Sequence, residues 1–359
     1  MEKYNGQNLY EDIKNRICSD IYLGRYNDGD RLPAERDLQE EYGISRVTVR
    51  KSLELLERDG LVLREIGRGT KITLPNHGNN VPLDMTVLIA PARNPFFSEF
   101  ISLFQSYAQE KDTLVLYVEK PRSQSLEDCI FRLYKRGLRN VVIWLEDLEV
   151  DHDRLRRLRA IGMNIVFFDT DEGLPYADCV STDNSEAISS LCRRISCQPS
   201  EISYICWDKL DTYSARTRKD AFEAFAGTDT NILAIPWKQK PESIRILSEK
   251  LPLLDAKGIK YVLCSDRECS ELILPLLSKL KLPISLVGID DITDMTAALE
   301  YTEESVIASS DLPAQPAAIF CRQDLAKIVE TIYTCLQNQC SSGKKWISDS
   351  YLIPGSMIE

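Results

Sequence analysis

Between Ser45 and Arg50 the chain sets a hydroxyl, two arginines and a threonine in six residues, Ser45-Arg46-Val47-Thr48-Val49-Arg50, with Lys51 next and no acid in the run. A helix beginning at Arg46 would be capped by the Ser45 hydroxyl, and its first-turn amides would favour an anion nearby. Arg46, Thr48 and Arg50 would then project from its first turn and a half, where a guanidinium can meet a phosphate or pair with a guanine edge. Arg36 opens the preceding helical pattern and is placed for a backbone phosphate. Arg68, between Gly67 and Gly69, stands at a turn tip from which a cation can enter a minor groove. The chemistry these residues offer is phosphate and base-edge recognition. Lys51, Arg58 and Arg64 read as solvated surface charges, and Val47, Val49, Leu53 and Leu56 as core.

The elements that must hold these side chains are legible from apolar spacing. Leu9, Ile13, Ile17 and Ile21, then Leu38 and Tyr42, then Val49, Leu53 and Leu56 recur at helical intervals, which predicts three helices. Asp59-Gly60 stops the third. LVLRE and TKITL, around Ile66-Gly67-Arg68-Gly69, predict a small hairpin. The polar, proline-bounded stretch from Pro75 to Pro82 reads as a linker. Beyond it, TVLIA, TLVLYVE, NVVIWLE, NIVFFDT, DCVST, ISYICW, NILAIPW, KYVLCSD and ISLVGIDD alternate with helical patterns, the signature of βαβ units with parallel sheets. The expected class is therefore α/β, with an α+β head at 1–74, a linker at 75–84 and a two-lobed domain at 85–359. One lobe is expected at about 85–197 plus a C-terminal return and the other at about 200–310, split near Gln198-Pro199-Ser200, with small molecules expected between lobes and at the carboxyl ends of the strands.

The 359 residues carry a net charge of −11, with 43% hydrophobic and 28% charged residues. This composition excludes disordered, collagen-like and membrane-spanning classes. Residues 1–75 hold 13 basic and 14 acidic side chains, so nearly all of the negative charge lies downstream. Residues 44–72 hold seven basic and four acidic groups, a local cationic patch in an acidic chain. The opening MEKYNGQNLYEDIKNR has charges where an export signal has its apolar region, so a cytoplasmic location is expected. The eleven cysteines have no C-x-x-C pair and are expected as reduced, mostly buried thiols. The only histidines, His77 and His152, lack nearby cysteine pairs, so neither metal nor cofactor is expected.

The run LPAERDLQEEYGISRVTVRKSLELLERDGLVLREIGRGTKI at 32–72 resembles the winged helix-turn-helix of the GntR family of bacterial transcriptional regulators. It has the L-P-A-E-R opening of the second helix, the G-I-S-R-V-T-V-R opening of the third, the D-G-L that ends it and the G-R-G-T wing. The resemblance implies DNA contacts from Arg36, Ser45, Arg46, Thr48, Arg50 and Gly67, to which the reading above adds Arg68.

From Met85 onward the chain is similar to the periplasmic-binding-protein-like sensor domain of the LacI family. The anchors are Asn94-Pro95-Phe96-Phe97, the stretch Ser214 to Phe222, Cys264-Ser265-Asp266, Val287-Gly288-Ile289-Asp290-Asp291 and the closing Tyr351-Leu352-Ile353-Pro354. Ser265 replaces the usual asparagine and Ala221 the usual glycine. A GntR-type head on a LacI-type sensor resembles the AraR-like sugar-responsive repressors. On this likeness Phe96 offers a face for a ring or sugar, or packs in the core. Arg218 grips vicinal hydroxyls or a carboxylate, or pairs with Asp220 or Asp211. Asp266 and Asp290 accept hydrogen bonds from ligand hydroxyls, or cap the helices that follow. Asp183, with Asn184, touches ligand or caps its helix, and Trp144, Asp169 and Trp207 line the site, with core packing equally open for the two tryptophans.

The resemblances imply a homodimeric regulator, most simply a repressor, that binds a pseudo-palindromic double-stranded operator and is released by a small polar effector, a carbohydrate, bound between the lobes. Two alternatives remain open at this point: a sensor that has lost its ligand or takes a non-sugar, and a DNA-binding head fused to an enzyme-like domain. No nucleophile elbow, P-loop or G-x-G-x-x-G supports catalysis, so no enzymatic activity and no membrane partner are expected.

Overall fold

The computed structural model describes residues 9–65, 67–74, 82–91, 95–144, 149–290, 318–341 and 346–358. The linker residues 75–81 lie outside the described residues. Three helices come first: α1 (Leu9–Tyr22), α2 (Glu35–Tyr42) and α3 (Arg46–Arg58). Each buries the face its periodicity marks: Ile13, Ile17 and Ile21 on α1, Leu38 on α2, and Val49, Leu53 and Leu56 on α3 are at most 1% exposed, whereas Val47, expected in the core, is 75% exposed because it stands roughly opposite Val49 and Leu56 around the helix. Every such side chain withdrawn from water contributes about 1.5–3 kcal/mol. The hairpin β1 (Val62–Glu65) and β2 (Gly69–Ile72) is antiparallel with Glu65 opposite Gly69, and Gly67 and Gly69 at its turn have φ of +74° and +88°. A side chain at either position would meet a left-handed backbone that glycine alone adopts cheaply.

The first six-stranded sheet runs β4-β3-β5-β6-β7-β13, from β3 (Met85–Ile89), β4 (Leu114–Val118), β5 (Asn140–Ile143), β6 (Asn164–Phe168), β7 (Asp178–Thr182) and β13 (Ser350–Ile353). The second runs β9-β8-β10-β11-β12-β14, from β8 (Ile202–Trp207), β9 (Ile232–Ile235), β10 (Tyr261–Cys264), β11 (Ser285–Ile289), β12 (Ala318–Arg322) and β14 (Ser356–Ile358). In each, the first five strands pair in parallel in the order 2-1-3-4-5. That order reverses direction between the first and third strands, and crevices open there at the carboxyl ends. Helices α4 (Pro95–Glu110), α5 (Leu126–Tyr134), α6 (His152–Ala160), α7 (Asn184–Ile195), α8 (Tyr213–Ala226), α9 (Lys240–Ala256), α10 (Arg267–Leu280) and α11 (Leu325–Ser341) follow the strands. The fold is the expected α/β class, a winged helix-turn-helix followed by two parallel-rich sheets.

All nine strand patterns and the closing strand are found, while β12 and β14 are two strands that alternation did not announce. Ala318-Ile-Phe-Cys-Arg322 is a short run with only Phe320 and Cys321 buried, too brief for a clear period. The chain divides into two compact units, 1–180 with 329–351, and 181–328 with 352–359. The division differs from the expected split near Gln198: α7 packs on α8 and so groups with the second unit, which extends past residue 310 because β12 pairs in parallel with β11. The head groups with the first sheet because the end of α1 is docked on α5 and α6. There Tyr22 stacks on Phe131 at 3.9 Å and donates to Asp128 Oδ1 at 2.9 Å, and Arg157 donates to the carbonyls of Ile21 and Tyr26 at 3.0 and 3.1 Å. The cysteines are unpaired thiols, nine of the eleven buried.

Candidate nucleic-acid interface and effector site

Ser45, with extended backbone, caps α3: its Oγ accepts from the Thr48 amide at 3.2 Å and bonds the Thr48 hydroxyl at 2.8 Å. The first turn of α3 holds no acid of its own. It has one across the fold, where Glu35 at the start of α2 accepts from Arg46 Nε at 3.3 Å and Arg50 Nε at 3.0 Å through Oε2, and from Arg64 Nη2 at 2.9 Å through Oε1. This corrects the expectation that Arg46 and Arg50 lack an acidic neighbour. It also corrects Arg64, which is only 32% exposed and is a third spoke of the cluster rather than a solvated charge. Burial pushes the Glu35 carboxyl up, but hydrogen bonds from Arg50 and Arg46 and the charges of Arg50 and Arg64 outweigh it and hold it below the usual carboxylate range.

The pairing orients these arginines without using up their recognition edge. Both are bound through Nε and remain half-exposed or more, at 51% for Arg50 and 64% for Arg46, so Nη1 and Nη2 are the donors left to a ligand. Two terminal nitrogens in one plane suit a phosphate or the O6 and N7 edge of guanine. Arg36, 85% exposed, pairs with Glu40 one turn on at 3.0 Å, a bond of a type worth well under a kcal/mol and easily exchanged for a phosphate. At the wing tip the exposed Arg68 sits between the two left-handed glycines, and its carbonyl accepts from Arg31, which also pairs with Glu65 at 3.0 Å. Glu35 and Arg31 are the residues that sequence reasoning missed, because their partners lie 11 to 37 residues away and no local period marks them.

The second unit gathers polar groups at the carboxyl ends of its strands. Arg218 is 6% exposed and donates through Nε to Asn184 Oδ1 at 2.7 Å and through Nη1 to the Ser265 carbonyl at 2.8 Å. Neither expected acid takes it: Asp211 pairs with Arg216 instead. Asn184, 2% exposed, has an Nδ2 without a hydrogen-bond partner, and so does the buried Tyr204 hydroxyl. A buried amide left unmatched is costly unless a ligand or water satisfies it. Asp266 caps α10 at the Cys269 amide, 2.9 Å away, while its other oxygen accepts from Trp207 Nε1 at 2.7 Å and Ser265 Oγ at 2.8 Å. Trp207 ends β8 and Asp266 follows β10, so this bond lies at the point where strand order reverses.

Asp290 has φ of +61° at the end of β11 and is gripped by Gln323, whose amide reaches Oδ1 at 3.0 Å and whose Nε2 reaches Oδ2 at 2.7 Å. Gln323 in turn accepts from the Thr182 hydroxyl. Such strained backbone at strand ends is a recurrent mark of ligand sites. Asp183 caps α7 through the Glu186 amide at 3.0 Å. Trp144, buried in the first unit, packs beside Phe168 with ring centres 6.5 Å apart. Phe96 belongs to α4, but its side chain lies outside the described residues, as do Asn94 and Asp291. Among the described residues no three metal-ligating side chains converge, and no helix is long and apolar enough to cross a membrane.

Residues 9–72 match the family of bacterial regulatory proteins of the gntR type, so the chain carries a GntR winged helix-turn-helix at its N-terminus. Over 62 residues the chain is 45% identical to the HTH-type transcriptional regulator GgaR of Escherichia coli K12, a match that covers 17% of this chain and 23% of that one. The chain spans 23% to 28% of the length of curated relatives it matches. The remainder has the fold of LacI-type regulators. The trehalose repressor from Escherichia coli superposes with a TM-score of 0.57 at 16% identity, over 77% of this chain and all of that one. A LacI family regulator from Enterococcus faecalis, solved with bound ribose, gives 0.57 at 15%, over 76% and 97%.

Proposed function

We propose that the protein is a sequence-specific, DNA-binding transcriptional regulator, acting as a repressor, whose affinity for its operator is lowered by a small polar effector of the sugar class. The observation that carries the DNA-binding half is the Glu35 cluster, which presents the terminal nitrogens of Arg46 and Arg50 from the capped start of α3. Ser45, Thr48, Arg36, Gly67 and Arg68 complete the surface, with phosphate contacts fixing register and the two arginines reading bases. The effector half rests on Arg218, the unmatched Asn184 amide and the Trp207 to Asp266 bond in the second unit. Asp183 and Asp290 adjoin them as helix cap and strand end. Trp144 and Phe96 are assigned to the effector only if the screen below moves with their substitution.

The working form is a homodimer on a pseudo-palindromic site, in keeping with a cytoplasmic regulator. Leu114 and Leu116, 66% and 42% exposed on the edge strand β4, support self-association, since an apolar pair on an open edge invites cover. No catalytic role is proposed.

The test has two arms. Selection of duplexes from random sequence should return a symmetric site that binds with Kd at least a hundredfold below that of scrambled duplex; no enrichment would overturn the reading. A thermal-shift screen with sugars, sugar acids and polyols should then return one class that raises the midpoint by several degrees and weakens operator binding, because a ligand at 100 times its Kd adds about 2.7 kcal/mol. An effector changes DNA affinity only if it binds the two conformations unequally.

A further inference from the structure

A cavity of about 570 Å³ opens within the first unit, where α1 and α3 of the head meet the turn after α5. Among the described residues its walls carry five cations, Lys14 from α1, Lys51 and Arg58 from α3, and Lys135 and Arg139 from the turn, against one carboxylate, Glu11. That excess of positive charge stands in a chain of net charge −11. Asp59 answers Lys14 and Arg58, pairing with both. The other three rest on aromatic rings rather than acids: Lys51 lies 4.2 Å over Tyr10, Lys135 5.3 Å over Phe131 and Arg139 4.1 Å over Tyr134. A ring face holds a cation in place without cancelling its charge. Burial lowers the Arg139 pKa against the pull of Tyr134, Cys18 and Asp59, a cost that a bound anion would relieve.

We propose that this cavity binds a small multivalent anion of the phosphate class, such as a phosphorylated metabolite. Its volume falls in the range of small-molecule pockets, roughly 300–1,000 Å³, and its separated cations suit a ligand with several negative oxygens. The surface is distinct from the DNA-reading one: at about 100° per residue, Lys51 and Arg58 lie roughly 80–140° around α3 from Arg46 and Arg50. Because the walls come from both the head and the α/β portion, a bound anion ties the two together and so biases the head's orientation. That consequence rests on the DNA-binding reading above, whereas the anion site does not.

The experiment titrates inorganic pyrophosphate into the full chain at constant ionic strength, following both calorimetry and the unfolding midpoint. Wild type is compared with the exposed double variant Lys51→Gln/Lys135→Gln and with Lys240→Gln/Lys250→Gln, which removes the same charge from α9. The expected result is saturable binding with a midpoint raised by several degrees in wild type and the α9 variant, and at least tenfold weaker in the cavity variant. Absence of saturable binding, or equal binding by all three proteins, would overturn the proposal. So would a cavity variant that binds pyrophosphate normally but loses affinity for a scrambled duplex, since the lysines would then be contacts for the DNA backbone. Failure of the DNA-binding reading shows separately, as an operator affinity indifferent to Arg50→Ala.

Discussion

Arg50 Nε lies 3.0 Å from Glu35 Oε2, so one of the two arginines proposed to read bases is held by a carboxylate from the neighbouring helix. An arginine fixed at Nε loses less side-chain freedom when its outer edge meets guanine, and two arginines on one carboxylate are fixed together. Glu35→Ala is therefore expected to reduce discrimination between operator and scrambled duplex by about 1–3 kcal/mol, the worth of a good bidentate base contact. Non-specific binding should tighten slightly, because a negative charge beside the phosphates is gone. Fluorescence anisotropy on both duplexes at two salt concentrations checks this, and an unchanged affinity ratio would refute the positioning role.

The same cluster should leave a trace in acid. The Glu35 pKa is lower in the folded chain than its ordinary 4.5, so its contribution to stability is present above that value and is lost as pH falls through the folded pKa. Thermal unfolding of wild type and Glu35→Gln is expected to differ fully above the ordinary 4.5, to begin converging as pH falls below it, and to meet only below the lowered folded pKa. A gap that stays constant over this range would mean that Glu35 stabilises through packing and not through its charge.

What could be read in the sequence follows from locality. Ser45 as the cap of α3, the glycines flanking Arg68 and the long Val- and Ile-rich strands depend on neighbours in the chain, and the structure places them as their patterns indicate. As a first-turn acid Glu35 favours its own helix, and nothing within α2 announces that it gathers Arg46, Arg50 and Arg64. Arg218 was visible as a candidate, but its partners were misjudged: the acids at 211 and 220 are near in sequence, whereas Asn184 and Ser265 are brought by other elements. Gln323 was missed with its strand, since β12 is too short to show a period and its grip on Asp290 spans 33 residues.

Arg218→Ala is expected to abolish the effector response while leaving operator affinity in the absence of effector unchanged. It should also lower stability by about 1–3 kcal/mol, because the buried Asn184 Oδ1 and the Ser265 carbonyl lose their partner. Arg218→Lys keeps the charge but cannot span both acceptors with a planar fork, so the response should still fail. Denaturant unfolding and effector-dependent release from operator separate the two effects. A normal response in Arg218→Lys would show that charge alone suffices.

Gly288 links packing to the site. A Cβ there would stand 2.6 Å from Ser270 Oγ and 3.4 Å from the Phe320 ring, so β11 and α10 pack at a distance that only glycine permits. Ser270 is fully buried and donates to the Asp266 carbonyl at 3.2 Å, which ties the crowded point to the start of α10. Gly288→Ala is expected to cost about 1–3 kcal/mol by overpacking. Adding Ser270→Ala removes the atom in the way, and the pair should be less destabilised than the sum of the single changes by at least about 0.5 kcal/mol. Since Asp266 caps the displaced helix and receives the Trp207 bond, Gly288→Ala should also weaken effector binding, with operator affinity unaffected. Strict additivity in denaturant unfolding would show that the strain is taken up at Phe320 and not at Ser270.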